Sequence, residues 1–355
     1  LWHSAQLDDT AVLPESINSN EYSFGHGIKK LSSQIRNHLQ TLKLKNLVKK
    51  AENLPKSDPR RVSFLSAKDD PIAHSLLANT PNYSIRLNST EFKEAFSIYF
   101  GLPSPGCGIF IGCRIPNNPN CKQLLVDRMG YHIKTVTGMK GDNIRTMHDN
   151  IHQFLCEEIT SAKIQKKGSP SSPCKNIFAH LINNNNSEET ARHTQGIIPD
   201  VIITATAVQG TPTTIFDNKI SITDIKTLAP GIAYTTITNT IPDQAVNQRA
   251  LQVHKDYMTQ ARNIDRRFNR TEHDAIGPVE RELLKYGENG KVIGLVFGTF
   301  GDCSTSVHEL VNLISRQKAR MITEEVNMNT TEAMGKVRNM LRKKLCLFVA
   351  REWAR

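Results

Sequence analysis

The chain has 355 residues, 38% hydrophobic and 22% charged, a balance that fits folded domains and excludes a disordered chain. Forty-five Lys and Arg against 34 Asp and Glu leave a net charge of +11, which points to an acidic partner, nucleic acid first. Seven cysteines, an odd number, do not read as a disulfide framework, and no run approaches the roughly 18 apolar residues of a membrane span.

In chain order, residues 1–25 read as an irregular lead-in. From Ile28, apolar residues at Leu31, Ile35, Leu39 and Leu42 recur at three and four, which predicts an amphipathic helix. Between Gly25 and Arg61 ten Lys and Arg face only Glu52 and Asp58, so this short stretch carries +8 of the +11. Lys43, Lys45, Lys49 and Lys50 are its candidate phosphate contacts. The first division is therefore expected at 1–61.

Residues 62–137 read as a helical, Cys-containing platform. A short helix is expected over Ile72–Leu77. A second follows the capping residues Asn88-Ser89-Thr90-Glu91 and ends at Gly101-Leu102-Pro103. Cys107, Cys113, Cys121 and His132 are spaced too loosely for a zinc site, which usually contains a tight pair, so zinc is not expected.

A third region, 138–320, is the candidate catalytic domain, and 321–355 a closing basic helix. Met147, Ile151, Phe154, Leu155 and Ile159 trace one helical face. Glu158 lies beside that face, a candidate metal ligand, and His148-Asp149 reads as a cap at the helix start. Residues 166–195, rich in Lys, Ser, Pro and Asn, read as an inserted loop. Then comes IIPDVIITATAVQGTPTTIFDNKISITDIK, Ile197–Lys226. Two β-branched runs, Val201–Thr204 and Lys219–Thr223, read as neighbouring strands, with Asp200 opening the first and Asp224-Ile225-Lys226 closing the second. Asp224 and Lys226 are two apart and share a strand face. Two carboxylates suit Mg²⁺, which takes oxygen ligands and activates water, and a lysine suits a scissile phosphate.

After a break at Leu228–Gly231, a helix is expected over about 242–263. It carries Arg249, Lys255 and Tyr257 as candidate phosphate contacts. Pro278–Leu284 reads as a short helix and Val292–Phe297 as a buried central strand. A helix with Val307, Leu310, Val311 and Ile314 follows, then a last one over Met334–Trp353. The expected fold is α/β, a mixed sheet flanked by helices.

Several short stretches in order resemble one family. They are Leu87–Phe92 with Phe100–Pro103, Asp127–His132, His148–Ile151, Ile198–Val201, Thr223–Lys226, Gly277–Arg281 and Val296–Gly301. Together they resemble the restriction-like (PD-(D/E)xK) endonuclease regions at the C-terminal ends of non-LTR retroelement reverse-transcriptase proteins, especially of algae and other protists. The resemblance implies a restriction-endonuclease-like core. It also implies a divalent metal held by Asp200 and Asp224, with Lys226 assisting. The expected ion is Mg²⁺, with Mn²⁺ as a substitute, and to these residues we add the carbonyl of Ile225 as a metal ligand and Glu158 as a catalytic residue. The resemblance implies nicking of target DNA to prime reverse transcription, a nuclear location, and element RNA and a reverse-transcriptase domain as further partners, with no membrane. The chain has no Tyr-x-Asp-Asp polymerase motif, so it is expected to be the nuclease portion of a longer protein or a decayed copy. The alternative expectation is a catalytically inactive nucleic-acid-binding remnant.

Overall fold

A computed structural model describes residues 24–55, 58–76, 87–110, 128, 143–175, 177–183, 197–203, 214–221, 242–286, 292–325 and 329–354; for 24–32, 109–110, 143–144, 214–221, 242–245 and 325 it describes the backbone alone. The chain divides into two compact units, the first ending at Leu54 and the second beginning at Pro55.

The first unit contains helix α1, Phe24–Glu52. Lys49 and Lys50 stand in its last turn, where the helix dipole favours positive charge. The expected apolar stripe is present as Ile35, Leu39 and Leu42, but these are half-buried, while Leu44 and Leu47 are 40% and 50% exposed.

The second unit starts with α2, Pro59–Ala67, capped by Asp58, whose carboxylate accepts from the Arg60 amide at 2.9 Å. The division expected at 61/62 therefore falls inside a helix. So does the one expected at 320/321, inside α7 (Thr305–Glu325), and the one at 137/138 lies outside the described residues. Composition changes at 61/62 and 320/321, but helices run through both, and α7 packs along the last helix, α8 (Thr330–Ala354).

The short helix expected at 72–77 is a 3-10 turn, Ala73–Leu76. Buried Asp70 accepts from the Ile72 and Ala73 amides at 2.7 and 3.2 Å, and from the distant Cys303 amide at 2.6 Å. Helix α3, Ser89–Tyr99, has the capping box expected of Asn88 and Glu91. Gly101 ends it at φ +62°, where a Cβ would meet Pro59 backbone at 2.5 Å, so both conformation and space require glycine.

Helix α4, Asn143–Ser161, buries Met147, Ile151, Phe154, Leu155 and Ile159 as its periodicity predicts. It is followed by β1 (Lys166–Lys167), β2 (Val201–Ile203) and β3 (Thr214–Ser221), then α5 (Pro242–Phe268), α6 (Pro278–Leu283) and β4 (Ile293–Gly298). The sheet runs β1-β2-β3-β4, antiparallel at the first two pairings and parallel at the third. Alternation along β2 sorts its side chains onto two cores. Val201 and Ile203 join Leu295, Phe297, α4, α7 and α8 in one, and Ile202 joins α5 and α6 in the other. The architecture is therefore α/β: a small mixed sheet between two helical layers. Gly294 lets α5 lie against β4, since a Cβ there would meet Ala250 backbone at 2.9 Å.

Two expectations change. Part of the expected 166–195 loop is built into the fold: β1 pairs with β2, and Cys174, Phe178 and Ile182 are buried in the α5 core. A two-residue strand has no readable period, and the Ser/Pro/Lys composition masks the anchoring Phe178. The second acid-bearing strand, expected at 219–223, already runs from Thr214 and is described as far as Ser221; residues 222 and 223 lie outside the described residues.

Candidate functional site

Asp200 stands immediately before β2, at the end of Ile197-Ile198-Pro199. Three supports hold it. Tyr257 on α5 donates its hydroxyl hydrogen to the Ile198 carbonyl at 3.1 Å. Gly168, φ +94°, packs against the Asp200 carbonyl so closely that a Cβ would sit 2.2 Å from the oxygen. Lys166 donates to the Gly168 carbonyl at 2.9 Å, tying the edge strand to the same point.

The Asp200 side chain is 17% exposed and is met by two histidines from α4. His148 Nε2 lies 3.3 Å from Asp200 Oδ2, and its Nδ1 lies 3.1 Å from Asp149 Oδ1. His152, one turn on, is 3% exposed at its side chain, with Nδ1 4.0 Å from Asp200 Oδ1. Burial pulls the His152 imidazole below its ordinary value, and the Asp200 charge offsets part of that. The thiols of Cys156 and Cys174 are buried nearby and pushed up by burial. Since α4 begins at Asn143, His148-Asp149 does not cap it; the pair sits inside the helix, with His148 facing the head of β2. The sequence reading missed the pair His148 and His152; His-x-x-x-His at 148 and 152 is the helical one-face spacing that could have found it.

The expected partners of Asp200 fare differently. Asp224, Ile225 and Lys226 lie outside the described residues. The β2–β3 register pairs Val201 with Phe216. The ladder ends at that pair; in the sequence of β3, Asp217 follows Phe216, and Lys219 comes two positions on. Asp217-Asn218-Lys219 is thus a second Asp-x-Lys triplet, lying on the strand that pairs with β2.

Glu158 is ten residues beyond His148, about 15 Å along the helix. It is buried in an ion triad, bonded to the Lys318 ammonium and 3.3 Å from that of Lys344. Helical phase placed it beside the apolar face, but α7 and α8 supply its cations, so it stands as a structural group rather than a neighbour of Asp200. Tyr257, expected to contact phosphate, is only 6% exposed and turned inward to Ile198. Lys255 is exposed, and Arg249 pairs with Asp256 at 3.4 Å, both groups partly exposed. Lys43, Lys45, Lys49 and Lys50 are all exposed on α1. Cys107 is a buried free thiol; Cys113, Cys121 and His132 lie outside the described residues.

Among the described residues no group of three or more His, Cys, Asp or Glu is gathered to hold a metal, and no helix is long and apolar enough to cross a membrane. Comparison with protein-family models, curated proteins and solved structures finds no match.

Proposed function

We propose that the chain is a divalent-metal-dependent DNA endonuclease domain of the restriction-like kind, serving a retroelement by nicking target DNA to leave a 3′-hydroxyl primer. One observation carries the reading. An aspartate opens an inner strand of a mixed sheet, in the order helix, three strands, two helices, strand, and the neighbouring antiparallel strand belongs to a segment bearing Asp-x-Lys. Ligands placed at strand heads and held by a packed scaffold suit metal-assisted phosphodiester hydrolysis. The basic surface of the chain suits a phosphate backbone.

In this reading Asp200 and Asp224 hold Mg²⁺ or Mn²⁺, with the carbonyl of Ile225 as a further ligand. The described donors fit such an ion as far as they extend, since a mostly buried carboxylate is a hard oxygen ligand. The bound ion lowers the pKa of its water and neutralises charge growing on the phosphate. Lys226 orients the attacking water against the scissile phosphorus. The water oxygen bonds to phosphorus, the bond to O3′ breaks, and the 3′ oxygen takes a proton. Tyr257, Gly168 and Lys166 keep Asp200 in place. Lys255, Arg249 and the α1 lysines contact DNA phosphates without reading sequence. A second assignment of the partner acid, Asp217 with Lys219, rests on their place in the strand that pairs with β2 and is separated from the first by experiment.

The test is nicking of supercoiled plasmid with Mg²⁺, Mn²⁺ or EDTA, using wild type and the single variants Asp200→Ala, Asp224→Ala and Asp217→Ala. We expect metal-dependent nicking that Asp200→Ala and Asp224→Ala reduce below detection. Activity kept by Asp224→Ala and lost by Asp217→Ala would transfer the role to Asp217 and Lys219. Salt-sensitive DNA binding without nicking in any lane would sink the enzyme reading in favour of a binding remnant.

A further inference from the structure

We infer that Arg338 and Arg342 on α8 form a phosphate-binding pair that grips the DNA backbone. The site deepens the endonuclease reading and rests on it for the source of the phosphate.

Helix α8 carries six Lys and Arg against two Glu. Three of the six are matched: Lys336 meets Glu332 at 2.7 Å, Lys344 meets Glu158 at 3.3 Å, and Arg351 lies 3.8 Å from Glu352. Arg338, Arg342 and Lys343 form no ion pair among the described residues. Arg338 and Arg342 stand four positions apart, so their Cβ atoms are about 5–6 Å from each other on one helical face. Both side chains are half-buried, and each Nε is covered by protein with no hydrogen-bond partner among the described residues. Burial first, then the charge of Arg338, pulls the Arg342 guanidinium below its ordinary value, with Asp70 opposing. A guanidinium does not lose its proton in a protein, so two like charges are held together at a standing cost.

Asp70 does not discharge them. Its Oδ1 accepts from the Ile72 and Ala73 amides, and its Oδ2 accepts from the Cys303 amide and lies 3.3 Å from His308 Nε2. On α7, His308 and Asn312 stand one turn apart, and their Nδ1 and Oδ1 are likewise buried without a hydrogen-bond partner among the described residues. Unmatched polar atoms thus gather on both helices of the α7–α8 pair. A phosphodiester answers the α8 side: its two free oxygens give each guanidinium fork an acceptor for Nε–H and an Nη–H, and its charge offsets the repulsion. The chain's +11 charge, and Lys343 beside a half-open face, favour a polyanion over a small phosphate, which a closed pocket would hold.

The probe is fluorescein-labelled duplex DNA, titrated with the full chain in EDTA across a salt series and followed by anisotropy. Arg338→Gln combined with Arg342→Gln should weaken binding about tenfold. The slope of log affinity against log salt should shrink by about 0.9, for one phosphate no longer neutralised. Arg338→Lys combined with Arg342→Lys keeps the charges and loses the forks, so it should keep the slope and still bind more weakly than wild type. The DNA-free melting temperature of the Gln pair should not fall, since no ion pair is lost. Should the Gln pair fail to fold, the Lys pair carries the test, and wild-type affinity there overturns the site. An unchanged slope in the folded Gln pair overturns it. An equal change in Lys336→Gln, which removes a cation already matched on the same helix, makes the effect one of net charge and overturns it too. Inorganic phosphate is the second arm. If it raises the melting temperature of wild type but not of the Gln pair, while their DNA slopes coincide, the pair holds free phosphate and the DNA assignment falls. Binding is read without metal, so the two readings fail separately. A changed slope with no nicking keeps this site and loses the endonuclease; nicking with an unchanged slope does the reverse.

Discussion

Tyr257 on α5 donates its hydroxyl hydrogen to the Ile198 carbonyl across 3.1 Å, two residues before Asp200. The ring is in the α5 core and the hydroxyl holds the entry to β2. Replacing Tyr257 with Phe keeps the ring and removes the bond. We expect a loss of about 1 kcal/mol in urea unfolding, with a further fall in metal affinity as the Asp200 segment loosens. DNA affinity in EDTA should not change, because the side chain is buried; a fall there would show that Tyr257 meets phosphate after all.

The Glu158 triad makes a contrasting prediction. Lys318 and Lys344 share one buried carboxylate, and Glu158→Ala leaves two partly buried ammonium groups without it. Removing one partner of a buried ion pair costs roughly 3–5 kcal/mol, and the partial exposure of Lys344 moves the expectation to the lower end. Chemical denaturation measures this. Mn²⁺ affinity of the folded variant should match wild type, and a tenfold loss would return Glu158 to the metal site.

Stability should fall on the alkaline side. Burial first, then the charges of Cys346 and Asp70, raise Tyr99 from 10.0 to about 12. Burial first, then Asp70, raise Cys346 from 9.0 to about 12. Both groups hold their protons more tightly when folded, so their contribution is complete below pH 9 and is lost as pH rises toward 12. Urea midpoints at pH 7, 9, 10 and 11 should decline from pH 9 upward, and the double change Tyr99→Phe, Cys346→Ala should flatten that decline. An unchanged slope in the double variant would remove these groups as the cause.

The α1 lysines give a surface prediction. Reversing Lys43, Lys45, Lys49 and Lys50 to Glu should leave the melting temperature of the second unit unchanged, since all four are exposed. DNA binding should weaken, and the slope of log affinity against log salt should shrink by about 0.9 for each phosphate no longer neutralised. An unaltered slope would place the DNA elsewhere on the protein.

Much of this was legible in the residues themselves. The Asn88–Glu91 capping box, the stop at Gly101 and the α4 face from Met147 to Ile159 follow from local hydrogen bonding and from a period of 3.6. Neither needs knowledge of the rest of the chain. The run Val292–Phe297 is apolar because the strand it forms, β4, is buried, although among the described strands β4 ends the order rather than standing at its centre as expected. Asp200 stood out because Pro199-Asp200 precedes a β-branched run.

What tertiary structure alone decided is which side chains meet. Glu158 and His148 are both polar residues of one amphipathic helix, and periodicity gives each a direction but no partner. Lys318 and Lys344, 160 and 186 residues away, claim the first, and Asp200, 52 residues away, faces the second. Lys166-Lys167 became a strand, and Phe178 a core residue, only because β2 and α5 offered an edge and a cavity to fill. Backbone conformation is set by neighbours in the chain, and so can be read from it. Ion pairs, edge pairing and burial are set by groups brought together across long separations, and those appear only when the chain has folded.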